Sequence, residues 1–166
     1  MKRKAFVVDT NVLIVSNNCE THADAECRLN SVRFLRMIQN EGLLVLDEQG
    51  EILREYRRKC RPSGRPGTGD RFFKWARDNQ GNPDRFEKVS ITQRQDDTDD
   101  YEEFPDDPAW KSFDRSDRKF VAAALKSKNK PTILNATDTD WWEFREPLQE
   151  LDIKVEFLCP HMMPHS

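Results

Sequence analysis

The chain of 166 residues has no apolar run approaching the roughly 18 residues of a membrane helix. Met1-Lys2-Arg3-Lys4 leads into only a few apolar residues before Asp9, so neither an export signal nor a membrane anchor is expected, and the protein reads as soluble and cytoplasmic. It has no CxxC pair; Cys19, Cys27, Cys60 and Cys159 are expected to be reduced thiols. His22, His161 and His165 form no triad with a serine or cysteine, and no Gly-rich phosphate loop follows the first apolar run. No internal repeat is visible. The net charge of −3 argues against a uniformly basic nucleic-acid binder, and 36% hydrophobic against 34% charged residues indicates a thin core with a heavily solvated surface. A chain of this length makes one domain.

Two short apolar runs end in acids. Ala5-Phe6-Val7-Val8 closes with Asp9-Thr10-Asn11, and Pro131-Thr132-Ile133-Leu134 runs into Asn135-Ala136-Thr137-Asp138-Thr139-Asp140. Each reads as a buried strand that delivers carboxylates to its carboxyl end, where open α/β sheets gather ligands.

Between them the pattern alternates. After a polar loop, Leu29, Val32, Leu35 and Ile38 recur at helical spacing until Gly42; Leu43-Leu44-Val45-Leu46 is a strand, and Asp47 is placed to cap a helix carrying Ile52, Leu53 and Tyr56. Residues 60–69 read as a Pro/Gly/Arg loop, 70–76 as a short helix, 87–92 as an extra strand and 95–107 as a solvated acidic loop or flap. A helix opens at Asp114-Arg115-Ser116-Asp117 and runs to Leu125. A strand at 132–134, a helix at 141–151 with Pro147 a break, and a last strand at 153–158 complete the chain. Repeated β-then-α units predict a mainly parallel sheet of about five strands flanked by helices, a three-layer α/β/α arrangement. The tail from Cys159, with His161 and His165, offers too few ligands for zinc and reads as a frayed terminus.

Four places supply carboxylates to one end of such a sheet: Asp9, the pair Glu51 and Glu55 on one helix face, the pair Asp114 and Asp117, and the pair Asp138 and Asp140. Asp117 lies in line with Phe120 and Val121 and points inward, where it needs compensation from a helix amino terminus and a hard cation. Arg54, Arg57, Arg58, Lys59, Arg61 and Arg65, followed by Arg71 and Lys74 beside Phe72, Phe73 and Trp75, interleave positive charge with aromatic rings as single-stranded nucleic acid requires. The acidic flap is placed to shield that patch when nucleic acid is absent.

In order and content these motifs resemble the PIN-domain nucleases. The Val7-Val8-Asp9-Thr10-Asn11 start, the Ile52-Leu53-Arg54-Glu55-Tyr56 helix, the Asp117-to-Ala124 helix and the Asn135-to-Trp141 turn carry the resemblance, from Phe6 to Leu158, with 62–108 resembling an insertion in a single domain over 1–158. The resemblance implies that Asp9, Glu55, Asp117 and Asp138 hold Mg²⁺ or Mn²⁺, with Thr10, Asn11, Thr137 and Asp140 supporting and Glu51 and Asp114 as neighbouring candidates. It implies hydrolysis of single-stranded nucleic acid, RNA more than DNA, leaving a 5′ phosphate and a 3′ hydroxyl. It also implies a role as a toxin held by an antitoxin or as a defence-system nuclease, and a homodimer whose paired sites form a groove. Two other readings compete: a non-catalytic PIN-like module binding RNA or protein, and a phosphatase with Asp9 as nucleophile, which Asn11 disfavours because that chemistry needs a second Asp there.

Overall fold

The computed structural model describes residues 2–19 and 22–164. Its frame is a five-stranded, all-parallel sheet in the order β3-β2-β1-β6-β7, built from β1 (Ala5–Val8), β2 (Leu43–Asp47), β3 (Phe86–Val89), β6 (Thr132–Asn135) and β7 (Lys154–Phe157). Every residue of β1 and β6 is buried, as is β2 after Leu43; strands covered on both faces carry continuous apolar runs rather than alternation. Helices α1 (Thr10–Ser16), α2 (Ala25–Glu41), α3 (Glu51–Lys59), α4 (Thr68–Asn79), α5 (Arg118–Lys126), α6 (Thr139–Glu143) and α7 (Arg145–Glu150) flank the sheet. The predicted three-layer α/β fold is therefore present. No helix among the described residues is long and apolar enough to cross a membrane.

Val8 pairs with Leu134, and Asp9 N–H donates to Leu134 O at 3.1 Å. The carboxyl ends of β1 and β6 thus lie side by side. The chain leaves β1 toward β2 on one side and returns through β6 on the other, so this is the switch point of the sheet.

Several local readings need correction. The expected polar loop after β1 is α1, whose Val12, Leu13 and Val15 are buried. Gly69 lets α4 lie against it, since a Cβ there would meet Leu13 O at 2.2 Å. Residues 95–107 are not a solvated loop: β4 (Gln93–Arg94) and β5 (Asp97–Tyr101) form an antiparallel hairpin, and Tyr101 and Phe104 are buried. Phe104, Trp110, Phe113, Phe144 and Trp141 form a cluster of rings with centroid spacings of 5.1–5.8 Å, which anchors this segment. The acids around those rings concealed them. The last helical region breaks at Phe144 rather than Pro147, which sits in the first turn of α7, where its missing N–H costs nothing. Within the 62–108 segment, α4 contributes buried Phe72, Phe73 and Ala76, and β3 pairs with β2 over four residues.

The four-thiol expectation fails. Cys27 and Cys159 form a disulfide with Cα atoms 5.0 Å apart across 132 residues, while Cys19 and Cys60 are free. Adjacency created by the fold over such a separation leaves no trace in cysteine spacing. The tail is correspondingly packed rather than frayed: Cys159 and Met163 are buried, Pro160–Met162 is a 3₁₀ turn, and His161 Nε2 lies 2.9 Å from Asp24 Oδ2. Cys159 is thereby unavailable to zinc, and His165 lies outside the described residues.

Candidate metal centre

Asp9, Asp117 and Asp138 converge at the switch point, each offering a carboxylate oxygen within 4.8 Å of the others. Asp9 follows β1 and caps α1, its Oδ1 accepting Asn11 N–H at 3.0 Å, while Oδ2 accepts the indole N–H of Trp141. Asp138 caps α6 through Asp140 N–H at 2.9 Å. Asp117 ends the 3₁₀ turn Arg115–Asp117 ahead of α5 and is 5% exposed. Its Oδ2 is buried with no hydrogen-bond partner. A buried carboxylate oxygen left unpaired is costly, so this atom calls for a proton shared with a neighbouring carboxylate or for a cation.

The electrostatics agree. Burial, reinforced by the charges of Asp138 and Glu55 and partly offset by the Asn11 N–H and the Trp141 indole, pushes the Asp9 carboxyl up to about 7. Burial and the neighbouring Asp9, Asp138 and Asp114 push Asp117 higher still. Asp140 is raised by burial and by Asp138 and Asp114. Three carboxyls this close are all ionised only with a cation among them; otherwise at least one keeps its proton.

The turn that carries Asp138 is held by two amides. Asn11 Nδ2 donates to Asn135 Oδ1 at 2.9 Å, and Asn11 Oδ1 accepts Ala136 N–H at 2.8 Å. Asn135 in turn accepts Asp138 N–H at 3.1 Å and donates to Asp138 O at 3.0 Å. Asn11 is therefore a brace between the two strand ends. Thr137 lies half-buried in the same turn.

The second acid departs from a simple ligand role. Glu55 is buried, but its Oε2 accepts the Thr10 hydroxyl and its Oε1 lies 2.6 Å from Lys119 Nζ, which also donates to Ser116 O. One residue on, Tyr56 donates its hydroxyl to Val8 O at 2.5 Å, fixing α3 against β1. Glu51 pairs with exposed Arg54. Asp114, Asp117 and Asp140 form a second acidic group, yet Asp114 Oδ1 takes both the N–H and hydroxyl of Ser116 at 2.9 Å, and Asp140 Oδ2 takes Asp114 N–H at 3.2 Å.

Three contributors stand outside the predicted set: Lys119, Trp141 and Asn135. Residues two apart on a helix do not share a face, which separates Lys119 from Asp117 in any helical reading. The 3₁₀ turn before α5 removes that objection. Trp141 is fully buried against Phe113, and a buried indole N–H needs an acceptor. That requirement was the available signal.

The basic stretch disperses. Arg58 alone lines a groove of about 420 Å³ with Glu51, Glu55, Arg115, Ser116 and Lys119, and the hairpin supplies its far wall through Gln93, Thr98, Asp99 and Tyr101. Arg54 and Arg57 face a separate depression with Phe73 and Arg77. Arg61, Arg65, Arg71 and Lys74 are exposed elsewhere. Among the described residues these rings form no stacking platform: Phe72 and Phe73 are core residues, and Trp75, half-buried, packs at a tilt against Phe86 at 4.7 Å under Arg85.

No protein-family model, curated protein or solved structure matches this chain, so the reading of the site rests on its own geometry.

Proposed function

We propose that this chain is a divalent-metal-dependent nuclease of the PIN type, hydrolysing phosphodiester bonds in single-stranded nucleic acid, RNA in preference to DNA. The observation that carries the reading is the unpartnered, buried Oδ2 of Asp117 beside the carboxylates of Asp9 and Asp138 at the sheet's switch point. A few carboxylates with room for water and substrate oxygens suit Mg²⁺ or Mn²⁺. Bound there, such an ion would supply an activated water and offset charge on the leaving oxygen.

The chain's own residues then have distinct tasks. Asp9, Asp117 and Asp138 hold the ion, and Trp141 fixes the Asp9 carboxylate. Asn11 and Asn135 set the distance between the strands that carry Asp9 and Asp138. The groove beside Glu55 gives a strand its approach, with Arg58 and Arg115 on its wall to meet phosphates. The resemblance to PIN domains extends the reading to a toxin or defence role, with an antitoxin or a second copy of the chain as partner. An intracellular substrate would place its action in the cytoplasm.

The test is cleavage of labelled single-stranded RNA, single-stranded DNA and duplex DNA with Mg²⁺ or Mn²⁺, comparing wild type, Asp9→Asn and an EDTA control. Cleavage lost in both the variant and the chelated sample is the expected result. Folded protein that cuts none of them under any condition would turn the reading to a non-catalytic binding module.

A further inference from the structure

We infer that Lys119 stands in for a second metal ion: the centre takes one divalent cation, on Asp9, Asp117 and Asp138, and the Lys119 ammonium occupies the adjoining cation position at Glu55. The inference rests on the metal-dependent reading above. Asp9 shares its carboxylate cluster with Asp117 and Asp138, and Glu55 stands next to it, its Oε2 taking the hydroxyl of Thr10, the residue after Asp9. A two-ion centre places its ions about 4 Å apart and shares carboxylates between them, so the Glu55 side of Asp9 is where a second ion belongs. In this chain that side is already filled.

Lys119 and Glu55 are each 8% exposed, and Nζ sits 2.6 Å from Oε1. Ser116 O takes another of its N–H groups, and the Thr10 hydroxyl holds the other Glu55 oxygen. Glu55 therefore has its charge neutralised and both oxygens engaged. Glu51, the next carboxylate along the groove, is paired with Arg54. A divalent ion entering here would face an ammonium held in place by burial. The Asp114, Asp117, Asp140 group shares Asp117 with the first and does not include Glu55, so it does not supply the Glu55 position. Removing the charge of Lys119 should thus create an ion position that the wild type lacks.

Manganese alone is the probe. Free Mn²⁺ is followed by its electron paramagnetic resonance signal during titration of wild type, Lys119→Met and the double variant Lys119→Met with Glu55→Gln, with folding checked by circular dichroism. One bound ion in wild type, two in Lys119→Met and one again in the double variant are expected. Two ions in wild type, or one in folded Lys119→Met, overturn the inference. Lys119→Gln, which keeps a hydrogen-bond donor at Glu55, replaces the Met variant if that fails to fold, with the same expected count. Wild type that binds no Mn²⁺ overturns the metal reading and this inference together; one ion bound without cleavage of any nucleic acid removes the nuclease reading and leaves this one standing.

Discussion

The indole N–H of Trp141 donates to Oδ2 of Asp9, joining residues 132 positions apart at the centre of the acidic site. With Asn11 N–H on Oδ1, both oxygens of the Asp9 carboxylate are aimed before any ligand arrives. Side chains that orient a metal-holding carboxylate in this way set affinity as much as the carboxylate does.

Trp141→Phe keeps a buried ring against Phe113 and deletes only the donor. It is expected to weaken Mn²⁺ binding about 10- to 100-fold. Loss of a hydrogen bond to a buried carboxylate should cost about 1.5–3 kcal/mol of stability. Calorimetric titration and thermal melts check both.

Asp117→Asn removes a carboxyl that burial and its neighbours force to stay protonated and leaves the shape intact. Metal-free protein should become more stable, with Tm rising about 2–4 °C for each kcal/mol gained. Mn²⁺ should no longer raise Tm. A fall in metal-free Tm would show that the cluster is not strained by its own charge.

Stability should also respond to pH. The folded carboxyl of Asp9 is raised from 3.8 to about 7, so its contribution is complete below pH 3.8 and is lost as pH rises toward 7. Asp117, raised in the same direction, extends that loss to higher pH. Metal-free Tm is expected to fall across this window, and saturating Mn²⁺ should flatten the slope by displacing the shared protons. Melts at pH 4 to 8 with and without Mn²⁺ decide it.

The Cys27–Cys159 bridge closes a loop of 132 residues. In the chain-entropy account, a loop of that size contributes about 5 kcal/mol, and measured values are commonly about 2–5 kcal/mol. Dithiothreitol or Cys27→Ser should lower Tm accordingly, with mass spectrometry of the alkylated protein confirming which thiols are free.

Asp97 pairs with exposed Arg115, which holds its carboxyl below the ordinary range, and Asp99 faces the groove. Neutralising both, as Asp97→Asn with Asp99→Asn, should tighten binding of a single-stranded oligonucleotide about two- to tenfold at low salt, fading as salt rises. Unchanged affinity by fluorescence anisotropy would remove any shielding role from the hairpin. Asp100 is left alone because it pairs with buried Arg118, and breaking that contact would unsettle the fold.

Strand positions were legible because β1, β2 and β6 are short apolar runs between helical patterns, and the acids that end them could be read directly. Asp47 also does what its place suggests, accepting the N–H groups of Glu51 and Ile52 at 2.8 and 2.9 Å. What stayed hidden depends on contacts between distant segments. The Lys119 partner is 64 residues away and the Trp141 partner 132, and no local pattern encodes either. The hairpin was obscured because its strand β5, Asp-Thr-Asp-Asp-Tyr, has the composition of a solvated loop. The basic residues do not line one surface, because side chains close in sequence diverge around α3, leaving Arg58 near Glu55 and Arg54 with Arg57 elsewhere.

The hairpin turn between β4 and β5 divides the chain into two unequal working parts. The amino-terminal part holds Asp9, Asn11 and Glu55; the carboxyl-terminal part holds Asp117, Lys119, Asn135, Asp138 and Trp141, so neither carries a whole centre. The Cys27–Cys159 bond crosses that division. A protease cut at the exposed turn would therefore yield a two-piece protein whose halves remain tethered at high effective concentration, and complementation between fragments would be an intramolecular event.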